Sequence, residues 1–83
     1  MAIESSRTGT KGGTPAELLT IAQAVREGRR RHGMTQAELA GLAGTGLRFI
    51  SELERGKPSL AINKVIHVLA ALGLRLHVTG EQP

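Results

Sequence analysis

Residues 35–59 read TQAELAGLAGTGLRFISELERGKPS, and the fold turns on this stretch. Thr35-Gln36-Ala37-Glu38 is a capping box: a threonine hydroxyl can accept the amide proton of Glu38 while the Glu38 carboxylate reaches back to the Thr35 amide. Leu39, Ala40 and Leu42 then supply the apolar face of a short helix ending near Ala43. Ala43-Gly44-Thr45-Gly46 is a glycine-rich break, after which Phe49, Ile50 and Leu53 restart the helical period as far as Arg55, and Gly56 and Pro58 end it. Two short helices joined by a tight glycine-containing turn form the pattern of a helix-turn-helix. Ala40 and Gly44 are expected to be small because the two helices cross closely there, while Ile50 and Leu53 hold the second helix against the core and leave its first turn free.

Working outward, Thr14-Pro15-Ala16-Glu17 reads as a second capping box with proline at the first helical position, where its missing N–H costs nothing. Leu18, Ile21, Ala22 and Val25 mark the buried face of the helix that follows; Arg26, Arg29, Arg30 and Arg31 crowd its last turn, favourable for the helix dipole, and Gly33 closes it. On the other side a longer helix is expected from around Ser59 or Ala61 to Leu72, with Ile62, Val65, Ile66, Val68, Leu69 and Leu72 as a broad apolar stripe and Gly73 at its C-cap. Beyond it Leu74, Leu76 and Val78 alternate with Arg75, His77 and Thr79, a period of two that predicts a strand over 74–79. A lone strand in a helical chain leaves backbone groups unpaired on both edges; its simplest partner is the same strand of a second copy about a two-fold axis, with Leu74, Leu76 and Val78 as the dimerisation residues.

The expected architecture is therefore mainly α, four to five helices with one C-terminal strand pairing across a dimer. Residues 14–79 form one domain, preceded by a flexible arm over 1–13 that has no hydrophobic periodicity and followed by a short tail over 80–83.

Composition bounds the function. A domain of 83 residues buries only about 60% of its unfolded surface, and the absence of cysteine removes disulfides and thiolate zinc sites, so oligomerisation is the expected source of added stability. No apolar run approaches the roughly 18 residues of a membrane span, and the first ten residues lack a signal-peptide core; a bacterial cytoplasmic location at the nucleoid is expected, with no membrane partner. A net charge of +4 and a pI near 10.8 suit a polyanion. Phe49 is the single aromatic residue, whereas single-stranded nucleic acid is bound by stacking bases on several rings, so duplex DNA is the better fit.

Within that frame, residues 35–59 resemble the lambda-repressor-like (Xre-type) helix-turn-helix, and the ending resembles HipB-like antitoxins. The resemblance covers residues 15–79 and is carried by Thr35 to Ala40, by Ile50-Ser51-Glu52-Leu53-Glu54-Arg55-Gly56-Lys57-Pro58, and by Ala71-Leu72-Gly73-Leu74 leading into the strand. It implies that Gly46, Leu47, Arg48 and Glu52 face base edges. Arg48 is the strongest candidate, since a guanidinium in the first turn of a groove-bound helix can bridge O6 and N7 of guanine. Glu52 could accept from cytosine N4 or restrain Arg48 through an i, i+4 pair. Leu47 could meet a thymine methyl or pack over Thr45. Gly46 departs from the family, in which a polar residue usually caps this helix, and Phe49 reads as core. Phosphate contacts are expected from Thr35 and Gln36 at a helix N-terminus and from Lys57 and Ser59 in the loop after the reading helix, while Arg29, Arg30 and Arg31 add charge or stand solvated. Glu54 takes a structural role, with an arginine such as Arg26 as its expected partner.

Catalysis is not expected: the sequence has no Ser/His/Asp arrangement, no phosphate loop and no carboxylate cluster, and His32, His67 and His77 stand at spacings unlike a metal site, so neither cofactor nor small-molecule substrate is expected. The resemblance implies a repressor of double-stranded DNA with an inverted-repeat operator, the antitoxin of a HipA-type kinase that autoregulates its operon. Only Gly80 to Pro83 follow the strand, so contact with such a kinase would use the helical surface. Two alternatives stand beside this: a free-standing Xre-type regulator without a toxin, and a protein-interaction subunit with weak DNA binding, which Gly46 and Leu47 support and Arg48 opposes.

Overall fold

The computed structural model describes residues 14–58 and 60–80; the arm over 1–13, Ser59 and tail residues 81–83 lie outside the described residues. Four helices follow one another: α1 Ala16–Arg31, α2 Gln36–Ala43, α3 Leu47–Glu54 and α4 Ile62–Ala71.

The start of α1 differs from expectation. Pro15 occupies the N-cap itself (φ −59°, ψ 145°), and no side chain caps the helix. A capping box needs its oxygen on the N-cap side chain, which proline lacks, and Thr14 stands one residue too early. The Pro15 carbonyl instead accepts from the amides of Leu18 and Leu19 at 3.0 and 3.2 Å.

At α2 the box forms as read: the Glu38 amide donates to Thr35 Oγ1 at 3.0 Å and the Thr35 amide donates to Glu38 Oε1 at 2.8 Å. The helix ends at Gly44 (φ +71°), where the Thr45 amide turns back to the Ala40 carbonyl at 2.9 Å. The reason for Gly44 is conformational and not the close helix crossing expected, because a Cβ built there meets no atom within 4 Å. A side chain in this left-handed region would instead cost about 1–2 kcal/mol.

Helices of eight residues are unstable alone, so α2 and α3 persist through what they bury. Val25 of α1, Leu39 of α2, Ile50 and Leu53 of α3 and Val68 of α4 are completely enclosed. Each such side chain contributes about 1.5–3 kcal/mol relative to exposure. Gly28 marks a close approach between α1 and the end of α4, since a Cβ there would lie 3.3 Å from Leu72 Cδ1.

The apolar stripe of α4 is narrower than its sequence suggests. Val65, Val68, Leu69 and Leu72 are buried, but Ile62 and Ile66 are exposed, at 58% and 45%. With 100° between successive residues, six apolar positions span more of the helix than one neighbour can cover. After Gly73, residues 74–80 carry no strand pairing, and no strand is present among the described residues. Leu74 packs against the core while Leu76 and Val78 are exposed at 41% and 93%. A strand is defined by its ladder, and among the described residues this segment meets no strand partner. The predicted strand and its two-fold pairing thus rest on the sequence pattern.

Candidate nucleic-acid interface

The placement of α3 fixes what it can present. Ile50, Leu53 and Glu54 are turned inward, and the first turn, with Gly46 as N-cap, faces outward. Leu47 is 52% exposed and the Arg48 side chain 90% exposed, so the three leading positions expected at the DNA share one free surface. Glu52 lies one turn along. Phe49 packs partly against the core, with Lys64 Nζ 5.8 Å from its ring centroid, a cation–π contact between α3 and α4 that no sequence spacing signals.

Arg48 Nε donates to Glu52 Oε2 at 3.2 Å, which is the restraining geometry an i, i+4 pair allows. Lys57 Nζ donates to the same oxygen at 3.2 Å. The Lys57 hydrogen bond, against the opposing pull of burial and with help from Arg48, holds the Glu52 carboxyl below its ordinary value. Lys57 reaches back because Gly56 (φ +74°) reverses the chain and the Lys57 amide bonds the Glu52 carbonyl at 3.0 Å.

Beneath this surface a buried polar network ties three helices together. Arg29 Nε and Nη2 donate to the two oxygens of Glu54 at 2.6 and 3.1 Å, a bidentate pair with both side chains largely enclosed (14% and 4% exposed). Gln36 Nε2 adds a third bond to Glu54 Oε1 at 3.0 Å. Burial works to raise the Glu54 carboxyl, but the bonds from Arg29 and Gln36 outweigh it and hold it below its ordinary value; the Glu54 bond correspondingly raises Arg29. The structural role expected for Glu54 stands, and its partners are arginines as expected, two of them: Arg26 serves the Glu54 backbone carbonyl, at 2.6 Å, and Arg29 the carboxylate. Arg29 also donates to the Met34 carbonyl at 2.9 Å, bracing the turn into α2. Its neighbours Arg30 and Arg31 are exposed.

Two of the expected phosphate contacts thus have side chains engaged in the fold: Thr35 in the cap and Gln36 on Glu54. What α2 offers an anion is its first backbone amides, which no intrahelical carbonyl reaches. Lys57 is half exposed beside Glu52, and Ser59 lies outside the described residues. Among the described residues, no group of three His, Cys, Asp or Glu could hold a metal ion, and no helix is long and apolar enough to cross a membrane.

Comparison with known proteins agrees with this geometry. The family HTH_3, helix-turn-helix, matches residues 25–78. The chain is 48% identical over 65 residues, 78% of its length and 82% of the relative's, to "Uncharacterized HTH-type transcriptional regulator y4mF" of Sinorhizobium fredii (strain NBRC 101917 / NGR234). Among solved structures it resembles an "MDT Protein" with a TM-score of 0.70 at 23% identity, covering 84% of this chain and 99% of that one, a likeness of fold alone. From the pair α2 and α3, packed as two short helices around a glycine turn, and from the match spanning residues 25–78, the chain belongs to the Xre-type helix-turn-helix family.

Proposed function

We propose that this protein is a sequence-specific repressor that binds double-stranded DNA as a dimer, reads it through α3, and serves as the antitoxin of a HipA-type kinase, autoregulating its operon. The observation that carries the DNA reading is Arg48, 90% exposed in the first turn of a helix whose opposite face is locked into the core. In a major groove that guanidinium meets O6 and N7 of guanine, worth about 1–3 kcal/mol of discrimination against a wrong base. Leu47 offers a methyl-sized apolar contact beside it, and Gly46 lets the backbone approach. The α2 N-terminus at Thr35 and Gln36 and the loop residue Lys57 flank α3 and anchor phosphates on either side, with Ser59, which follows in the sequence, as a further phosphate contact.

Dimerisation is supported by the segment after α4. Beyond the Leu74 amide, which donates to the Leu69 carbonyl at 2.8 Å, its backbone makes no backbone hydrogen bond among the described residues, and Ile66, Ala70, Leu76 and Val78, with Arg75, line an open, largely apolar groove of about 650 Å³. A second copy's strand satisfies both the backbone and the groove, and a two-fold pair of reading helices calls for an inverted-repeat operator with half-sites one turn, about 10–10.5 base pairs, or a multiple apart. The antitoxin role rests on the HipB-like ending. A free-standing regulator is the second reading, favoured by the regulator name carried by the relative.

A footprint on the DNA upstream of its own gene tests the proposal. Two protected half-sites related by a dyad support it, and no protection at any protein concentration overturns it. A kinase-like reading frame immediately downstream separates antitoxin from free-standing regulator.

A further inference from the structure

The outer of the two acidic residues on the reading helix, Glu52, holds two cations on one atom. Glu52 Oε2 accepts from Arg48 Nε and from Lys57 Nζ, each at 3.2 Å. The arrangement is built: the Gly56 turn fastens the Lys57 amide to the Glu52 carbonyl at 3.0 Å, so the same two residues are joined through both backbone and side chain. The Glu52 side chain is only 15% exposed although both its partners are open to solvent, at 90% and 50%. The Arg48 pair is made through Nε, and its terminal Nη groups make no hydrogen bond among the described residues. Those Nη groups form the fork that matches a guanine edge.

We propose that Glu52 is a specificity-determining residue that acts without touching a base, a reading that rests on the DNA-binding function above. Clamped at Nε, Arg48 points its fork along one direction and satisfies it only where guanine stands. On other sequences an unclamped arginine would swing to the nearest phosphate and hold the protein there; Glu52 denies it that contact and repels the phosphate besides. Lys57 has three donors, so it contacts a phosphate while remaining on Oε2. The carboxylate therefore weakens binding to wrong DNA more than to right DNA.

The test uses the full chain and two duplexes: the one most enriched from a random library by the wild type, and a scrambled duplex of the same composition. Dissociation constants are measured over a range of salt for the wild type and for E52Q, R48K, K57Q and the E52Q/R48K pair. For E52Q the scrambled duplex should bind several-fold tighter and the ratio between the two duplexes should fall about 10-fold, within the range one bidentate contact supplies. The salt slope on scrambled DNA should steepen by about 0.9, one added phosphate contact. K57Q should weaken both duplexes alike. R48K, at a position too exposed to disturb folding, should lose the ratio by itself, and adding E52Q to it should lower the ratio no further.

An unchanged ratio and slope in E52Q, or additive losses in the double variant, would overturn the proposal. So would loss of preference at one C·G position with scrambled binding unchanged, which would make Glu52 a direct reader of cytosine. If the wild type enriches no duplex, the DNA-binding reading itself has failed, a result distinct from these.

Discussion

Truncating Glu54 should come close to unfolding this protein, although Glu54 touches nothing outside it. Its carboxylate is 4% exposed and accepts Arg29 Nε at 2.6 Å, Arg29 Nη2 at 3.1 Å and Gln36 Nε2 at 3.0 Å. Removing one partner of a buried pair costs about 3–5 kcal/mol, because the charge left behind has neither water nor counter-ion. Arg29 retains 14% exposure and its bond to the Met34 carbonyl, which favours the lower end, about 3 kcal/mol. A chain of this length has about 4–12 kcal/mol in all at 0.05–0.15 kcal/mol per residue. At roughly 4–8 °C per kcal/mol, Glu54→Ala should lower Tm by about 12–24 °C. Thermal and urea unfolding followed by circular dichroism, at one fixed protein concentration and neutral pH, measures this. The joint replacement Arg29→Met with Glu54→Leu should recover most of the loss, since an apolar pair of similar volume leaves no unpaired charge. A Glu54→Ala loss under about 1 kcal/mol would refute the reasoning, because the pair would then be no stronger than a surface one.

Acid should act through the same carboxylate: its folded pKa lies below the ordinary 4.5, so its contribution is complete above that value and fades as the pH drops through the folded pKa. The gap between wild type and Glu54→Ala should therefore narrow in acid, and a gap constant down to pH 2 would contradict the assignment. Gly44→Ala should cost about 1–2 kcal/mol from its left-handed backbone alone. Gly56→Ala should cost a similar amount from its own left-handed backbone, because the Leu19 Cδ2 that an added Cβ would meet at 3.0 Å ends a half-exposed side chain free to give, and a loss several-fold larger in urea unfolding would contradict this. Val78→Lys should leave the fold of a single chain untouched, Val78 being 93% exposed, yet yield a monomer by light scattering; a persistent dimer would remove the strand from the interface.

What was legible in the sequence was local. The Thr35 to Glu38 box, the glycine turns and the Arg48–Glu52 pair join residues a few positions apart, so spacing alone specifies them. The capping box at Thr14 fails on a single-residue shift that leaves proline at the cap. Arg29 could not be told from Arg26, Arg30 and Arg31, because all four lie near one helix end and only the packing of α1 on α3 decides which guanidinium reaches Glu54. Gln36 reads as an anion contact in sequence and ties α2 to that same carboxylate in the fold. The stripe of α4 hid two surfaces in one pattern, the inner face at Val65, Val68 and Leu69 and the open one at Ile62 and Ile66. For residues 74–79, alternation predicts a strand, but a strand needs a ladder, and among the described residues none forms there.

The most direct measurement of the central claim is enrichment from a random duplex library by the wild type and by Arg48→Ala, followed by dissociation constants on the winning site and on variants at each G·C pair. The account predicts a two-fold-symmetric site in which one guanine per half-site carries about 5- to 150-fold of the preference, lost in Arg48→Ala while weak, salt-sensitive binding remains. An Arg48→Ala chain that enriches the same site with the same guanine preference would contradict it.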